Sequence, residues 1–213
     1  MLRIAVAKGR LAEDLLNLFN ICGIYFDEYE TSRKLLLHDR ENNLEMILVK
    51  PIDTPVYVDS GAADCGIVGK DVLLENESDV YSLMALNISN CKMCVAIKKE
   101  EDIKNKKFIT VATKYPHITK KYFDSIDIDC KIIKLSGAIE LAPILNMSDA
   151  IVDIVQTGKT LSENGLIVSD IIIDNISACF IVNKVSLKTA FSEIEQLMKK
   201  LSYANKNILK EIK

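Results

Sequence analysis

The sequence predicts an α/β fold with largely parallel strands. Short apolar segments typical of buried strands alternate with amphipathic helical segments along the whole chain, and glycines and cations follow many of the strands. The 213 residues, 49% of them hydrophobic, suffice for one large domain or two small ones. Because α/β sheets bind ligands beyond their strand ends, we expect two lobes with a ligand cleft between them.

Strands and helices alternate through the first predicted lobe. Gly23 is typical of a helix end, and Pro55 is typical of a first helical turn. Apolar residues at helical spacing mark the first helix, and continuous apolar runs mark the strands. The predicted strands are Arg3–Ala7, Leu44–Val49, Asp64–Gly69 and Ser89–Ile97, and the predicted helices are Leu11–Cys22 and Thr54–Gly61.

A second alternating set follows a charged run at residues 98–107, which we interpret as a solvated connection. One or two strands are expected within residues 170–184. A C-terminal amphipathic helix follows, with an apolar stripe that starts at Phe191 and continues to Ile208 and Ile212. The other predicted elements are strands Phe108–Ala112, Cys130–Leu135 and Ala150–Val155, and helices Ile118–Asp124, Ala138–Ile144 and Thr160–Asn164.

Composition excludes several classes of function. A net charge of −3 argues against binding nucleic acid through bulk phosphate attraction. The N-terminus does not resemble a signal peptide, and no apolar run is long enough to span a bilayer, so we expect a cytoplasmic protein without membrane contact. With two histidines, neither a multi-histidine metal centre nor a catalytic triad is favoured.

Most of the six cysteines lie in apolar segments and are interpreted as small core residues. Cys91 and Cys94 form a C-x-x-C pair within a predicted strand. Side chains three residues apart in a strand point to opposite faces, and no second pair completes a zinc site. A redox or metal-binding role for this pair is therefore the weaker alternative.

The most informative motif runs from Asp149 to Leu161. An apolar strand carrying two acids leads directly into Thr157-Gly158-Lys159-Thr160, where a helix is predicted to begin. A glycine turn followed by a helix N-terminus presents backbone N–H groups to one anion, and Lys159 adds charge. Asp153 is placed to accept hydrogen bonds from sugar hydroxyls. The loop is not a Walker A motif, and an ordinary strand–turn–helix junction is an equally good interpretation of the loop alone.

Cations and glycines follow successive predicted strands of the first lobe. A single basic residue at a strand end carries little information, but several together predict an electropositive cleft for a polyphosphate substrate. These residues are Lys8, Gly9, Arg10, Lys50 and Lys70, and Arg33 and Lys34 are the further candidates between the first two of these strands.

In the second lobe, Ser136 and Gly137 follow a strand, and Glu140 lies one predicted turn into a helix. Gly137 permits close approach of a ligand to the backbone. Helix capping by Ser136 and Glu140 is an equally good interpretation. Lys114 and Tyr115 also follow a strand, and packing is the commoner fate of such a tyrosine.

These segments together resemble the short form of ATP phosphoribosyltransferase, and they occur in order along nearly the whole chain. Single motifs of this sort are weak evidence, whereas eight in order are strong evidence. The matching segments are Ala7–Arg10, Ser32–Lys34, Asp53–Val58, Gly61–Leu73, Ala112–Pro116, Gly137–Pro143, Asp149–Leu161 and Asn164–Leu166.

The resemblance implies a pentosyltransferase, a glycosyltransferase that joins N1 of the ATP adenine to C1 of phosphoribosyl pyrophosphate in the first step of histidine biosynthesis. It implies two lobes like a type II periplasmic binding protein, with the C-terminal segment returning to the first lobe. On this basis the predicted lobes are residues 1–90 plus 170–213, and residues 91–169. It also implies a homodimer within a hetero-oligomer, together with a regulatory subunit related to histidyl-tRNA synthetase. The alternative function is a two-lobed sensor that binds a small anion or nucleotide without chemistry.

On this resemblance, Arg33, Lys8 and Lys50 are the catalytic candidates that contact the pyrophosphate. Some relatives have arginine where this chain has Lys50, and lysine keeps the charge without the bidentate geometry. The loop at residues 157–160 would hold the 5-phosphate, and Asp153 the ribose hydroxyls. Mg2+ is expected to enter with the pyrophosphate, bound mainly by substrate and water oxygens.

Overall fold

The computed structural model describes residues 1–103 and 105–211, with side chains through Asn207, and it confirms the α/β class. A 3-10 turn at Pro51–Asp53 precedes the third helix. The strands are β1 (Leu2–Ala7), β2 (Leu36–Asp39), β3 (Leu44–Val49), β4 (Cys65–Gly69), β5 (Tyr81–Lys98), β6 (Phe108–Thr113), β7 (Asp129–Lys134), β8 (Ala150–Val155) and β9 (Leu166–Val182). The helices are α1 (Arg10–Ile21), α2 (Glu28–Thr31), α3 (Thr54–Asp59), α4 (Lys70–Glu75), α5 (Pro116–Ser125), α6 (Leu141–Ile144), α7 (Lys159–Glu163), α8 (Ser186–Thr189) and α9 (Phe191–Glu211).

The chain forms two compact units, residues 1–89 with 177–213, and residues 90–176. In the first unit the strand order is β2-β3-β1-β4-β9. Strand β1 pairs in parallel with β3 and β4, whereas β2 and β9 are antiparallel to their neighbours. Apolar side chains of β1, α1 and α9 form its larger core cluster, which includes Ile4, Phe19 and Leu201.

In the second unit, β8 pairs with β5 on one side and β6 on the other, and β6 pairs with β7. Strands β6, β7 and β8 are mutually parallel, and β5 is antiparallel to β8. Val111, Phe123 and Val152 belong to the core cluster of one sheet face. Ala112 and Ile151 pack with Leu161 of α7 in a second cluster.

Several predicted boundaries are wrong for identifiable reasons. Strand β5 begins at Tyr81 rather than Ser89 because its first residues are largely exposed and lack a continuous apolar run. Helix α6 begins at Leu141 rather than Ala138, because Ala138 has a left-handed backbone with φ 48°. Elements β2, α2, α4 and α8 are short and were not predicted. The side chains of Ile208 and Ile212 lie outside the described residues.

Gly66 allows β1, β4 and α3 to approach closely. A Cβ atom added at Gly66 would lie 2.8 Å from Val58 Cγ2 and 2.9 Å from the Ala5 carbonyl oxygen. We expect Gly66→Ala to lower the free energy of unfolding by about 1–3 kcal/mol, because overpacking forces backbone shifts. Denaturant unfolding measures this loss. Gly137→Ala is the control, since a methyl group there meets no atom within 4 Å; equal losses in both variants would contradict the packing argument.

Asp149 connects β6 to the start of β8. Its Oδ2 accepts a hydrogen bond from Thr110 N at 2.7 Å, and its Oδ1 accepts one from Lys106 Nζ at 2.9 Å. Burial raises the pKa of Asp149, but these hydrogen bonds outweigh that effect and hold the pKa below its usual value. The stabilisation is therefore complete above the unfolded pKa of about 3.9, and it is lost as pH falls through the folded pKa.

This linkage predicts how Asp149→Asn changes the melting temperature with pH. The variant should melt below the wild type near neutral pH, and the two melting temperatures should converge as pH falls below about 4. Thermal melts across this pH range measure the difference. A difference that stays constant with pH would show that the charge of Asp149 contributes nothing.

Candidate active site

Three lysines of the first unit lie at one edge of its sheet. Strands β1, β3 and β4 are parallel, with Ala7 opposite Val49, so their carboxyl ends meet. The Lys8 backbone N donates a hydrogen bond to the Val49 carbonyl oxygen at 2.9 Å. Lys8, Lys50 and Lys70 directly follow these three strands, and all are exposed. The topology therefore gathers the cations that the sequence predicted at separate strand ends.

Arg33 reaches the same edge through β2. This strand runs antiparallel to β3, and Leu48 N donates a hydrogen bond to the Leu35 carbonyl oxygen at 2.8 Å. The chain entering β2, which carries Arg33, therefore lies beside the end of β3. Arg33 is exposed, and within residues 1–103 and 105–211 no ion pair involves it, whereas Lys34 pairs with Glu28 Oε2 at 2.7 Å.

Gly9 forms the turn between β1 and α1. Its φ of 93° and ψ of −153° lie in a backbone region that residues other than glycine rarely adopt. The Gly9 carbonyl oxygen accepts hydrogen bonds from Ala12 N at 2.9 Å and Glu13 N at 3.3 Å. Helix α1 thus begins at Arg10, directly beyond Lys8, and its N-terminal N–H groups lie at the cationic edge.

Sequence reasoning missed Asp71, a carboxylate only 7% exposed in the first turn of α4. A Cβ atom on Gly69 would overlap Asp71 Oδ1, so the carboxylate would have to move if a side chain were added at residue 69. The Asp71 carboxylate therefore lies against the chain on the other side of Lys70. The Gly-Lys-Asp sequence at the end of a predicted strand was the available signal.

The second unit repeats this arrangement at its own sheet edge. In the parallel strands β6, β7 and β8, Thr113 lies opposite both Lys134 and Val152. Segments 114–115, 135–137 and 156–160 therefore leave the sheet at the same edge. The topology brings Ser136 and Gly137 to the edge that carries the loop at residues 157–160.

The loop itself has the predicted strand–turn–helix order. Gly158 is left-handed, with φ 75° and ψ 0°, and its carbonyl oxygen accepts a hydrogen bond from Ser162 N at 3.0 Å. Lys159 N donates to Thr157 Oγ1 at 3.4 Å. Thr157 and Thr160 are exposed, and Lys159 makes only an exposed 3.8 Å pair with Glu163 among the ion pairs of the described residues. The polar groups of the loop are therefore accessible to a ligand.

Asp153 lies within β8, opposite Cys94 and two residues before the strand ends. It is half-buried, and its Oδ1 accepts a hydrogen bond from Ile154 N at 2.8 Å. Its position near the carboxyl end of the strand places a carboxylate beneath the loop.

The capping interpretation of Ser136 and Glu140 is wrong. Glu140 directly precedes α6 and makes no side-chain capping hydrogen bond, and the helix begins too late for Ser136 to cap it. Ser136 and Gly137 are exposed, and Glu140 is half-buried. Tyr115 is 8% exposed within the core of the second unit, as the packing interpretation predicted, whereas Lys114 is exposed.

The cysteines are all free thiols. Cys65, Cys94 and Cys179 are buried, and burial raises the pKa of each thiol. Among the described residues, no group of three or more His, Cys, Asp or Glu side chains is arranged to hold a metal ion. In the same part of the chain, no helix has the length and apolar character needed to cross a membrane.

Comparison with known proteins identifies the family. Residues 50–203 match the family described as HisG: ATP phosphoribosyltransferase. The ATP phosphoribosyltransferase of Brachyspira hyodysenteriae is 50% identical over 204 residues, covering 94% of this chain and 98% of that protein. The enzyme of the same name from Clostridium novyi is 48% identical over 204 residues, covering 94% and 96%.

A solved structure agrees with this result. The ATP phosphoribosyl transferase (HisG:HisZ) complex from Thermotoga maritima contains a chain with 34% sequence identity and a TM-score of 0.83, and the match covers 97% of this chain and 100% of that one. The chain therefore belongs to the family of ATP phosphoribosyltransferases in their short form, the pentosyltransferases that join adenine N1 of ATP to C1 of phosphoribosyl pyrophosphate, with release of pyrophosphate, in the first step of histidine biosynthesis.

Proposed function

We propose that Arg33, Lys8 and Lys50 bind the pyrophosphate group of phosphoribosyl pyrophosphate during this transfer. The observation that carries the proposal is the strand register of the first unit, which brings these cations to one sheet edge. The N-terminal N–H groups of α1, behind Gly9 and Arg10, add positive potential at the same edge. Lys70 follows the third parallel strand and contributes charge to the same surface.

The chemistry of the reaction explains why cations, rather than a base, are needed. Adenine N1 is a neutral ring nitrogen with a free lone pair, so it attacks without prior deprotonation. Negative charge builds on the departing pyrophosphate while the ribose becomes oxocarbenium-like. Preorganised cations stabilise that charge, and each such donor is typically worth about 2.7–4 kcal/mol. The bidentate guanidinium of Arg33 is the best match to the leaving group.

In the second unit, we assign the 5-phosphate to the loop at residues 157–160. The left-handed Gly158, the exposed hydroxyl groups of Thr157 and Thr160, and the exposed Lys159 support this role. Asp153 accepts hydrogen bonds from the ribose hydroxyls, and its place near the end of β8 supports the assignment. Ser136, Gly137 and Glu140 leave the same sheet edge and complete the set of substrate contacts.

Mg2+ is proposed to enter as part of the substrate complex. Its preference for oxygen ligands and retained waters suits the pyrophosphate oxygens, and it would neutralise part of the charge on the leaving group. The cations assigned above then need to contact only the oxygens that Mg2+ leaves free.

We also propose that the two units are the two lobes of a type II periplasmic-binding-like arrangement with the ligand cleft between them. Each unit carries its substrate loops at the carboxyl edge of its own parallel strands, as such an arrangement requires. The free thiols support a reducing, cytoplasmic location.

For the assembly, we propose a homodimer that associates with a regulatory subunit related to histidyl-tRNA synthetase. The solved relative from Thermotoga maritima is a HisG:HisZ complex. Four apolar side chains around α6 are 41–63% exposed, which favours their burial in an assembly. These residues are Leu141, Ile144, Leu145 and Met147.

The test is an assay of the purified chain with ATP, phosphoribosyl pyrophosphate, Mg2+ and pyrophosphatase, following phosphoribosyl-ATP. We expect product that requires both substrates, and a rate that rises when the regulatory subunit is added. Substrate binding without product, even with that subunit present, would instead favour the sensor alternative.

A further inference from the structure

Ser89 has an unusual backbone for a residue inside a strand. Its φ is 53°, and of the described residues with positive φ it alone lies within a strand, β5. The others occupy turns and loops. A left-handed residue in a strand is typical of a bulge, which bends the strand and interrupts its pairing. Ser89 is also the last residue of the first unit before β5 continues into the second.

Side chains of the first unit hold β5 as far as Ser89. The Asn205 side chain of α9 accepts a hydrogen bond from Asn87 N at 2.6 Å and donates one to the Ala85 carbonyl oxygen at 3.2 Å. The Ser89 hydroxyl donates to Asp14 Oδ2 of α1 at 2.6 Å. Up to this residue, β5 is therefore tied to two helices of the first unit.

Beyond Ser89, β5 makes hydrogen bonds and an ion pair with residues of the second unit. Lys92 opens its antiparallel register with β8, opposite Val155, and Lys92 Nζ lies 2.6 Å from Asp174 Oδ1 of β9. Strand β9 also passes between the units, and its register with β4 begins with Ala178 opposite Gly69. Residues 90–91 of β5 lie between the Ser89 hydrogen bond and the register with β8, and residues 175–177 of β9 lie between Asp174 and the register with β4.

The hydrogen bond from Ser89 to Asp14 links β5 to an element of the proposed active site. Asp14 lies on α1, four residues after Arg10, so the hydrogen bond joins the left-handed residue of β5 to the helix that starts at the Lys8–Gly9 turn. We infer that Ser89 is a positioning residue for the transfer reaction. Its hydrogen bond to Asp14 fixes the point at which β5 bends, and it couples that bend through α1 to the turn at Lys8 and Gly9, where pyrophosphate is proposed to bind. The inference rests on the proposed roles of the two lobes.

The test compares Ser89→Ala, Ser89→Gly and Ser89→Asn with the wild-type chain. Alanine and glycine both remove the hydroxyl, whereas asparagine tolerates a left-handed backbone and retains a donor for Asp14. We expect kcat/KM to fall about tenfold in the first two, with kcat and KM both affected, and to be largely retained with asparagine. Asp127→Gly is the matched control, because it frees another positive-φ residue (φ 57°) that lies in an exposed turn.

Hydrogen–deuterium exchange gives a readout independent of turnover. In the wild type, phosphoribosyl pyrophosphate with Mg2+ should slow amide exchange in residues 90–91 and 175–177, and Ser89→Ala should lose this response. The inference would be overturned if kcat/KM were unchanged in both the Ala and Gly variants. It would also be overturned if the substrate did not change the amide exchange rates of these segments in the wild type. A wild-type chain that forms no product would overturn the proposed function as well, so the two failures are distinguishable.

Discussion

Replacing Arg33 with alanine is expected to lower kcat about 100–1,000-fold, the loss typical when one preorganised donor to developing negative charge is removed. Arg33 is exposed and has no ion pair among the described residues, so the free energy of unfolding should not change. Steady-state kinetics together with denaturant unfolding separate the two effects. Arg33→Lys should recover only part of the activity, because lysine supplies charge without the bidentate geometry.

Arg40→Ala is the matched control for this prediction. Arg40 is also exposed, but it follows the opposite end of β2, beside the start of β3 rather than its end. We expect kcat to be unchanged in this variant. Equal losses at the two positions would show that general positive charge, rather than a group at the carboxyl edge, supports the reaction; full activity in Arg33→Ala would remove Arg33 from the mechanism.

The second large effect is expected at Gly158, whose φ of 75° is unfavourable for a side chain. Alanine there costs about 1–2 kcal/mol in the left-handed conformation. The loop can escape this strain only by leaving the geometry that presents its N–H groups to the 5-phosphate. We expect Gly158→Ala to lower kcat/KM for phosphoribosyl pyrophosphate about 10–100-fold, mainly through a higher KM.

Gly165→Ala provides the comparison, because Gly165 is also left-handed, with φ 71°, and lies just after α7 with no atom within 4 Å of an added Cβ. The melting temperatures of both variants should fall by similar amounts, since both place an alanine in a left-handed backbone conformation. Only the Gly158 variant should lose affinity for the substrate. If both raised KM equally, the effect would come from a general loosening of α7 and not from the phosphate loop.

The sequence was sufficient to predict the elements with continuous apolar runs. Strands β3 and β8 begin and end where their apolar runs do. It failed where exposure breaks the pattern, as in the outer parts of β5 and β9, and where one left-handed residue delays a helix, as at Ala138. The spacing of apolar residues reflects which side chains are buried. The exposed part of a long strand therefore lacks the apolar pattern from which a strand is predicted.

For the site, the sequence indicated which residue types follow the strands but not which strands are neighbours. The approach of Arg33 to Lys50 depends on β2, a four-residue strand with too little pattern to predict. The Gly-Lys-Asp sequence marked the turn that carries Asp71, but the burial of Asp71 and the positive φ of Ser89 could not be predicted, because both depend on tertiary packing. Strand-end motifs, by contrast, needed only the local order of strand, turn and helix.

A crystal structure of the chain with phosphoribosyl pyrophosphate and Mg2+ tests the central claim most directly. We expect the 5-phosphate against the backbone N–H groups of residues 157–160, the ribose hydroxyls against Asp153, and the pyrophosphate against Arg33, Lys8 and Lys50. A pyrophosphate group bound away from the carboxyl edge of β1 and β3, with these cations left in solvent, would contradict the account.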